Sequence, residues 1–285
     1  MTRDDDRRRS EGWCWIVPAW NDPRWLFASF LSTYLVLGHL FLSFNRAPFE
    51  LAIAFGTCCA LDMLYTWVTT RKLLVPLSAF ISACGLGILF TAPGSAWFML
   101  LTSWLTITGK YLVTWRGRHL FNPTNLALVI MLLASGGQVA IAPAYQWGGS
   151  YEIVALVFAL GLVVMTRVNK LVLVLTFWSV FAAGALLRAE LTHMPAEITL
   201  WAQVSGGAFM LFSFFMITDP KTSPSSLSGQ VVFGAVLGLI DLWLQLSFAV
   251  FSLFYALFLV CALRGAYQII RDVRVRSAPS LPSAA

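Results

Sequence analysis

The chain has 285 residues, of which 59% are hydrophobic and 11% are charged, and its formal net charge is +6. A soluble globular domain carries charge on about 25% of its residues, so this composition excludes one. Only helices and closed barrels satisfy their backbone groups in lipid, and the short alternating strands of a barrel are missing, so the sequence predicts an all-α polytopic membrane protein.

Apolar runs of about 18–24 residues, the length that crosses the hydrocarbon of a bilayer, divide the chain into candidate spans. A charged segment, 1–23, precedes them and is interpreted as a disordered cytoplasmic tail followed by an interfacial aromatic segment. The small, polar segment 271–285 is predicted to be a second disordered cytoplasmic tail. The ten predicted spans are about 24–44, 48–70, 74–92, 95–114, 122–137, 151–166, 169–188, 198–217, 230–247 and 249–268.

The basic residues orient these spans. With both termini in the cytoplasm, all of the 19 Lys and Arg residues except Arg46 and Arg188 fall on the cytoplasmic side. This asymmetry is what the positive-inside rule requires. The net charge is therefore a topology signal and does not indicate a nucleic-acid partner. The predicted location is the cytoplasmic membrane of a bacterium, with the lipid bilayer as a partner.

Two interrupted spans indicate an internal repeat. The third span ends at Thr91-Ala92-Pro93-Gly94 and the eighth at Thr218-Asp219-Pro220. Ten spans divide into two repeats of five, about 24–137 and 151–270, and an odd number of crossings gives them opposite orientations. Broken helices at corresponding places in two halves are a pointer to the binding site of transporter-like folds.

The segment around the second break carries several polar side chains. Asp219 is suited to cap a helix through its carboxylate. Alternatively, the backbone amides there, with the hydroxyls of Thr218, Thr222 and Ser223, are suited to hold a phosphate or a polar headgroup. The sequence leaves both interpretations open.

A second polar motif opens the fifth span. Pro123 suits the first turn of a helix, and Asn122 before it suits the cap. Beside two arginines, the side chains of His119, Asn122, Thr124 and Asn125 also form a cluster that could bind an anion or the polar edge of a ring.

Asp62 lies well inside the second span, where a carboxylate costs roughly 2.5–3.5 kcal/mol on insertion scales. It should therefore face water or a partner, and Lys110 and Arg71 are the candidates. One interpretation is ion or proton coupling, and the other is a structural salt bridge between helices. The three histidines have no spacing that suits a metal or haem site.

The order of these motifs resembles the RnfD/NqrB family, the membrane subunits of the Rnf and sodium-pumping NADH:quinone oxidoreductase complexes. The resemblance covers roughly residues 25–270. It implies ten helices in two inverted five-helix repeats with broken helices, a fold similar to that of urea transporters. It also implies flavin binding and electron transfer across the membrane. The motifs are the acid in span 2, the break at 91–94, Gly109-Lys110, Phe121-Asn122-Pro123, Phe215–Pro224 and Phe248-Ala249-Val250.

One departure from the family concerns its cofactor. In the family, FMN is bound through its phosphate to the threonine of a Ser-Gly-Ala-Thr motif in the loop after span 5. The corresponding loop, 134–150, contains no threonine, and Ser135 before Gly136 is a poor substitute. No covalent FMN is therefore expected, and the implied cofactor is a non-covalent flavin, FMN or riboflavin. In this the chain is similar to stand-alone RnfD-like proteins, including those encoded in enediyne biosynthesis clusters.

Three functions follow as hypotheses. The first is an RnfD-like subunit, without catalytic residues of its own, that supports flavin-linked electron transfer or cofactor handling with other membrane or redox subunits. The second is a transporter or channel for a small polar solute, and the third is a structural subunit of a larger membrane complex. The residues expected to bind the cofactor are Asn122, Thr124, Asn125, Thr218, Asp219, Lys221 and Thr222, and those expected to couple ions are Asp62 and Lys110.

Overall fold

The computed structural model describes residues 15–41, 44, 46–93, 95–141 and 151–277, without the side chains of 151–154 and 275–277. Most of the first predicted tail, Gly94, most of the loop 134–150 and the last eight residues lie outside the described residues. The helices are α1 (Pro23–Phe41), α2 (Pro48–Thr70), α3 (Leu77–Leu89), α4 (Ala96–Leu112), α5 (Pro123–Ala134), α6 (Tyr151–Arg167), α7 (Leu171–Thr192), α8 (Glu197–Val204), α9 (Gly207–Met216), α10 (Leu227–Leu246) and α11 (Ser252–Ser277).

Local sequence explains where two of these helices begin and end. α2 begins at Pro48, whose fixed φ and missing N–H suit a first turn. A Glu50 carboxylate oxygen accepts a hydrogen bond from the Ala47 backbone N–H at 3.0 Å. The helix ends at Arg71, which adopts the left-handed conformation with φ 57°. α5 begins at Pro123 in the same way, after the predicted cap Asn122.

Short strands tie the loops together in pairs. β1 (Trp15–Ile16) pairs in parallel with β2 (Leu73–Leu74). β3 (Phe90–Thr91) pairs antiparallel with β6 (Ala140–Ile141), and β4 (Thr114–Trp115) with β5 (Arg118–His119). The second pair matters for the predicted break, because the third span stops being helical at Leu89 and continues as a strand.

Helix lengths support a polytopic membrane protein. In the part of the chain that the structure describes, four helices are long and apolar enough to cross a membrane: Pro48–Thr70, Leu171–Thr192, Leu227–Leu246 and Ser252–Arg274. The pair α8 and α9 makes a fifth if it is counted as one bent span. α3, with 13 residues, is about 20 Å long and shorter than the ~30 Å hydrocarbon layer. Each predicted span contains helix, but only these four or five meet the length and composition of a crossing.

The eighth span is broken inside as well as at its end. α8 and α9 are bent by 63° at Ser205–Gly206. The first turns of α8, Glu197–Trp201, and the last turns of α9, Phe212–Met216, are wound as π-helix. The bend falls at a glycine pair, Gly206-Gly207, and was not predicted from the sequence.

The helices pack in two sets with the same order of contacts. In the first set, α1 packs on α3, α2 packs on α3 and α4, and α4 packs on α5. In the second set, α6 packs on α9, α7 packs on α8 and α10, and α10 packs on α11. Contacts of α1 with α6 and of α5 with α11 join the sets, and the buried core runs through both.

Contacts between loops define two ends of the bundle. At one end, called the basic end here, Lys170 donates to the carbonyl of Pro224 and Trp115 Nε1 donates to Asp272 at 3.0 Å. The opposite end holds the β3–β6 pair and the hydrogen bond from Arg46 to Thr91. The buried Asp272 also explains why α11 continues to Ser277, beyond the predicted start of the tail at 271.

Candidate functional site

A buried ion pair joins three helices near the basic end. Lys110 Nζ, on α4, lies 2.5 Å from Asp62 Oδ1, on α2. The same Nζ donates to the hydroxyl of Ser78, in the first turn of α3, at 2.6 Å. The side chains of Asp62 and Lys110 are 7% and 12% exposed. Of the two predicted partners of Asp62, the structure thus places Lys110 beside it, whereas the Arg71 guanidinium lies over the Trp67 ring.

Hydroxyl groups complete the surroundings of the Asp62 carboxylate. Tyr111 Oη donates to Asp62 Oδ1 at 2.8 Å and shares a hydrogen bond with the Thr66 hydroxyl at 2.9 Å. Asp62 and Thr66 are four residues apart and therefore lie on one face of α2. The Tyr65 ring stacks on that of Tyr111 with centroids 4.7 Å apart. The carboxylate thus has two donors, an ammonium and a phenol, in a largely dry site.

The segment after α9 is a compact turn built around Asp219. Asp219 Oδ1 accepts a hydrogen bond from the Lys221 N–H at 3.0 Å. The Asp219 carbonyl accepts from the N–H groups of Thr222 and Ser223 and from the Ser223 hydroxyl. α10 begins only at Leu227, and its cap is Ser226, which accepts from the Gly229 N–H at 3.2 Å. The suggestion that Asp219 caps a helix is therefore wrong, because its carboxylate closes a turn ahead of the helix.

Basic side chains from two other elements hold this turn. Lys170, in the loop between α6 and α7, donates to the Pro224 carbonyl. Arg264 of α11 donates to the Thr222 carbonyl. Burial lowers the pKa of Lys170, and the nearby Arg264 acts in the same direction. The turn is thus fixed by charged groups of the second set of helices.

The asparagines at the start of α5 connect it to the second set. Asn122 Oδ1 accepts from the Asn125 N–H at 3.1 Å, which is the predicted helix cap. Asn122 Nδ2 donates to the carbonyl of Met216, at the end of α9. Asn125 Nδ2 donates to the Phe254 carbonyl at 3.1 Å, while its Oδ1 is buried and has no partner among the described residues. Thr124 is also buried.

The predicted cofactor and coupling residues therefore share the basic end. The positive charge of Lys221, on the turn, acts on both Lys110 and His119. Thr218 is fully buried, and its hydroxyl donates to the Phe214 carbonyl at 2.6 Å. Most of these polar groups bind one another or the backbone. None of the predicted site residues lines either of two cavities of about 580 and 500 Å³ elsewhere in the described chain.

Comparison with protein-family models gives a match over residues 143–260, to the NQR2, RnfD, RnfE family. This part of the chain is similar to that family. The matched residues include the Asp219 turn and most of the second set of helices, whereas Asp62, Lys110 and Asn122 precede them. None of the curated proteins compared with the sequence matches it.

Several polar residues around the site were not predicted from the sequence. Ser78 and Tyr111 contact the ion pair, and only the position of Tyr111 next to Lys110 offered a signal. Asp241, in the ninth predicted span, is 1% exposed. Among the described residues, no group of three or more His, Cys, Asp or Glu side chains is placed to hold a metal ion.

The roles of the Asp219 turn and of the Ser226 helix cap can be tested separately. Ser226→Ala should lower the free energy of unfolding by about 0.5–2 kcal/mol, because it removes the cap of α10. Asp219→Ala keeps that cap and should reduce function per folded molecule more than stability. Denaturant unfolding in detergent, paired with a functional assay of the folded fraction, measures both. An Asp219→Ala protein that unfolds easily yet functions normally when folded would contradict a site at the turn.

The pH dependence of stability tests the surroundings of His119. Burial lowers the pKa of His119 to about 4, and the charges of Lys221 and Lys110 act in the same direction. The unfolded chain, with a His pKa near 6.5, then binds more protons, so stability is lost as pH falls through this window. We expect a loss of about 2 kcal/mol between pH 7 and 4.5, reduced from the full shift because the ring is partly exposed.

The control for this pH effect is His119→Gln. Unfolding curves of both proteins at pH 7, 5.5 and 4.5 should show that the substitution removes this part of the pH dependence. Identical pH profiles of the two proteins would show that His119 titrates normally in the folded state.

Proposed function

We propose that this chain is the membrane subunit of an electron-transport complex and couples electron transfer to the movement of a proton or cation at Asp62. The family match suggests the complex. The observation that carries the coupling role is the buried Lys110–Asp62 pair, 2.5 Å apart, with a second acceptor for Lys110 at Ser78. Ionisable groups inside a membrane are costly, and they commonly mark ion or proton paths.

The geometry suggests how the pair would work. A proton or cation that binds the Asp62 carboxylate competes with Lys110 for it, and Ser78 offers the ammonium another position 2.6 Å away. Lys221 is a further charge that acts on Lys110, and it belongs to the turn after α9. A change of charge or position at that turn would therefore change the affinity of Asp62 for its ion. A partner bound at the basic end would in this way change the ion affinity of Asp62.

For the architecture we propose ten crossings in two inverted repeats, with both termini in the cytoplasm. The matching contact order of the two helix sets supports the repeats. The breaks support them too, since α3 gives way to a strand at Phe90 and the eighth span is bent at Ser205–Gly206. Short or broken apolar helices at corresponding places in two halves are typical of inverted repeats.

The residues predicted to bind flavin form the polar cluster at the basic end, and their contacts bear on that prediction. The Asn125 oxygen and His119 Nδ1 are buried polar atoms without a partner in the described part of the chain, and they are suited to bind a ligand group. However, Asp219 and Thr222 bind within their own turn, and Thr218 donates to the Phe214 carbonyl of α9. None of the cluster residues lines either of the two cavities described above. These contacts hold the predicted residues to the protein's own backbone, so we assign them no redox step.

Transport of a small polar solute is the second candidate. The 63° bend inside the eighth span favours it, because discontinuous helices line the solute sites of many transporters. The two candidate functions differ in whether the purified protein is coloured and in whether it co-purifies with other subunits. A redox subunit should co-purify with partners that carry a reducible chromophore, whereas a solute channel should be colourless and active alone.

The experiment is purification from native membranes in mild detergent, followed by an absorbance spectrum before and after dithionite reduction and after acid precipitation. We expect co-purifying redox subunits and a reducible chromophore. Flavin released into the acid supernatant, with none left on the chain, would support non-covalent binding within the complex. A chain that purifies alone, colourless and competent in solute uptake would contradict the proposed function in favour of transport.

A further inference from the structure

Three basic side chains converge on the turn after α9, and they are called the cation cluster here. Lys170, in the loop between α6 and α7, donates to the carbonyl of Pro224. Arg264 of α11 donates to the carbonyl of Thr222, in the same turn. The charge of Arg118, on β5, acts on both of these side chains. Three positive charges from separate elements thus lie close together.

The cation cluster has no counter-ion in direct contact. The ion pairs of the described residues join other basic side chains to acids, and none of them includes a member of the cluster. The Asp219 carboxylate acts on the charge of Lys170, but its hydrogen bond is with the Lys221 N–H. Positive charge therefore exceeds negative charge at this place, beyond what the turn itself requires.

Burial makes the missing counter-ion costly. Lys170 is 4% exposed, Arg264 is partly exposed and Arg118 is exposed. A buried charge without a counter-ion is strongly destabilising, and a hydrogen bond to a neutral carbonyl does not compensate for it. The cluster runs from the surface at Arg118 into the protein at Lys170, so an anion can reach it from outside.

The side chains of the cluster have donors left for a ligand. An ammonium has three N–H donors and a guanidinium has five, so Lys170 and Arg264 can bind the turn and an anion at once. Guanidinium groups bind phosphate in a bidentate manner, and lysine binds it as a point charge. A phosphate group, with several acceptor oxygens, can therefore be shared among the three cations.

An apolar strip of α11 adjoins the cluster. Leu263, Tyr267 and Ile270 are 60%, 65% and 52% exposed, and their spacing of four and three residues places them on one face of the helix. Arg264 lies three residues before Tyr267 and is therefore beside this strip. Exposed apolar residues with a tyrosine among them are typical of a helix surface at the edge of the hydrocarbon layer. A ligand with acyl chains would cover the strip, whereas a free phosphate would leave it bare.

We propose that the cation cluster binds a phosphate group and that this group belongs to an anionic phospholipid. Basic pockets between transmembrane helices on the cytoplasmic side bind such headgroups. The phosphate oxygens accept from Arg118, Lys170 and Arg264, and the acyl chains lie along the strip of α11. The lipid supplies the missing negative charge and joins the β4–β5 hairpin to the second set of helices. The site is independent of the coupling role proposed for Asp62.

The test is native mass spectrometry of the purified protein in detergent, titrated with dioleoylphosphatidylglycerol or with dioleoylphosphatidylcholine, which has the same acyl chains but no net charge. We expect the phosphatidylglycerol to bind more tightly. Arg118→Gln, a change at an exposed position, should leave the protein folded and weaken phosphatidylglycerol binding by about fivefold. Arg274→Gln is the matched control. It removes the same charge from an exposed position about 15 Å further along α11 than Arg264, so binding should be unchanged.

Two further variants and a competitor complete the test. Arg264→Gln keeps a donor for the Thr222 carbonyl but loses the charge, and it should also weaken binding by about fivefold. Arg118→Lys keeps the charge and should keep most of the binding. Inorganic phosphate in molar excess over the lipid should not displace it, because phosphate alone cannot cover the apolar strip.

Three results would overturn the proposal. Equal binding of the two lipids would leave the cluster to an acidic surface of a partner protein. Displacement of the lipid by inorganic phosphate would make it a site for the free anion. A loss of affinity in Arg118→Gln no larger than in Arg274→Gln would reduce the preference to a general attraction between the basic end and negative charge.

Discussion

Replacing Lys110 by Met is expected to lower the free energy of unfolding by about 3–5 kcal/mol, because it leaves a buried carboxylate without its counter-ion. Asp62 would keep the hydrogen bond from Tyr111 but lose the ammonium 2.5 Å away. A neutral hydrogen bond does not compensate for a buried charge. Unfolding of the detergent-solubilised protein by a denaturing detergent, followed by tryptophan fluorescence, measures the loss.

Two control variants distinguish the loss of the Asp62–Lys110 ion pair from the general effect of replacing a lysine. The double variant Asp62→Asn/Lys110→Met removes both charges and should recover most of the stability, to within about 1–2 kcal/mol of the wild type. Lys72→Met changes an exposed lysine near the same end and should alter stability by no more than about 0.5 kcal/mol. A Lys110→Met protein as stable as the Lys72→Met protein would show that the pair is solvated.

Gly234→Ala is expected to lower the free energy of unfolding by about 1–3 kcal/mol through overpacking between α7 and α10. A Cβ on Gly234 would lie 2.7 Å from the Leu173 carbonyl oxygen and 3.1 Å from the Phe177 backbone nitrogen. Both neighbours are backbone atoms of α7, so the helices themselves would have to separate. The same unfolding assay measures the effect.

Gly56→Ala is the matched control for this substitution. Gly56 also lies inside a long apolar helix, but a Cβ there meets no atom within 4 Å. The change should therefore raise stability by about 0.5–1 kcal/mol, since alanine favours helix over glycine. Opposite signs at the two glycines are the expected result, and a stabilising Gly234→Ala would show that α7 and α10 pack less closely than described.

Much of the fold follows from the sequence because a bilayer imposes simple rules on it. The run 48–70 was predicted as a span, and α2 covers the same residues, because a proline begins it and a charged pair follows it. The third span was predicted to continue to residue 92 but stops being helical at Leu89. Residues 90 and 91 pair with a strand from after α5, and such a long-range partner leaves no periodic signal.

The candidate site could be predicted from the sequence where a residue has few possible partners, as Asp62 does. An aspartate inside a span needs a partner, and the only basic residue within spans 2 to 4 was Lys110, so the pair could be named. Asp219 could not be assigned in this way, because turns and helix caps favour the same residue types. The bend at Ser205–Gly206 escaped prediction since glycine serves close packing and helix breaking alike.

Ion uptake by the reconstituted complex tests the central claim most directly. The complex, purified from native membranes, is placed in vesicles with trapped ferricyanide and a pH- or cation-sensitive dye, and dithionite is added outside. We predict that Asp62→Asn keeps the reduction of ferricyanide but loses most of the coupled uptake, whereas Asp22→Asn, a change of an aspartate outside the helices, keeps both. Normal uptake by the Asp62→Asn complex would contradict the account.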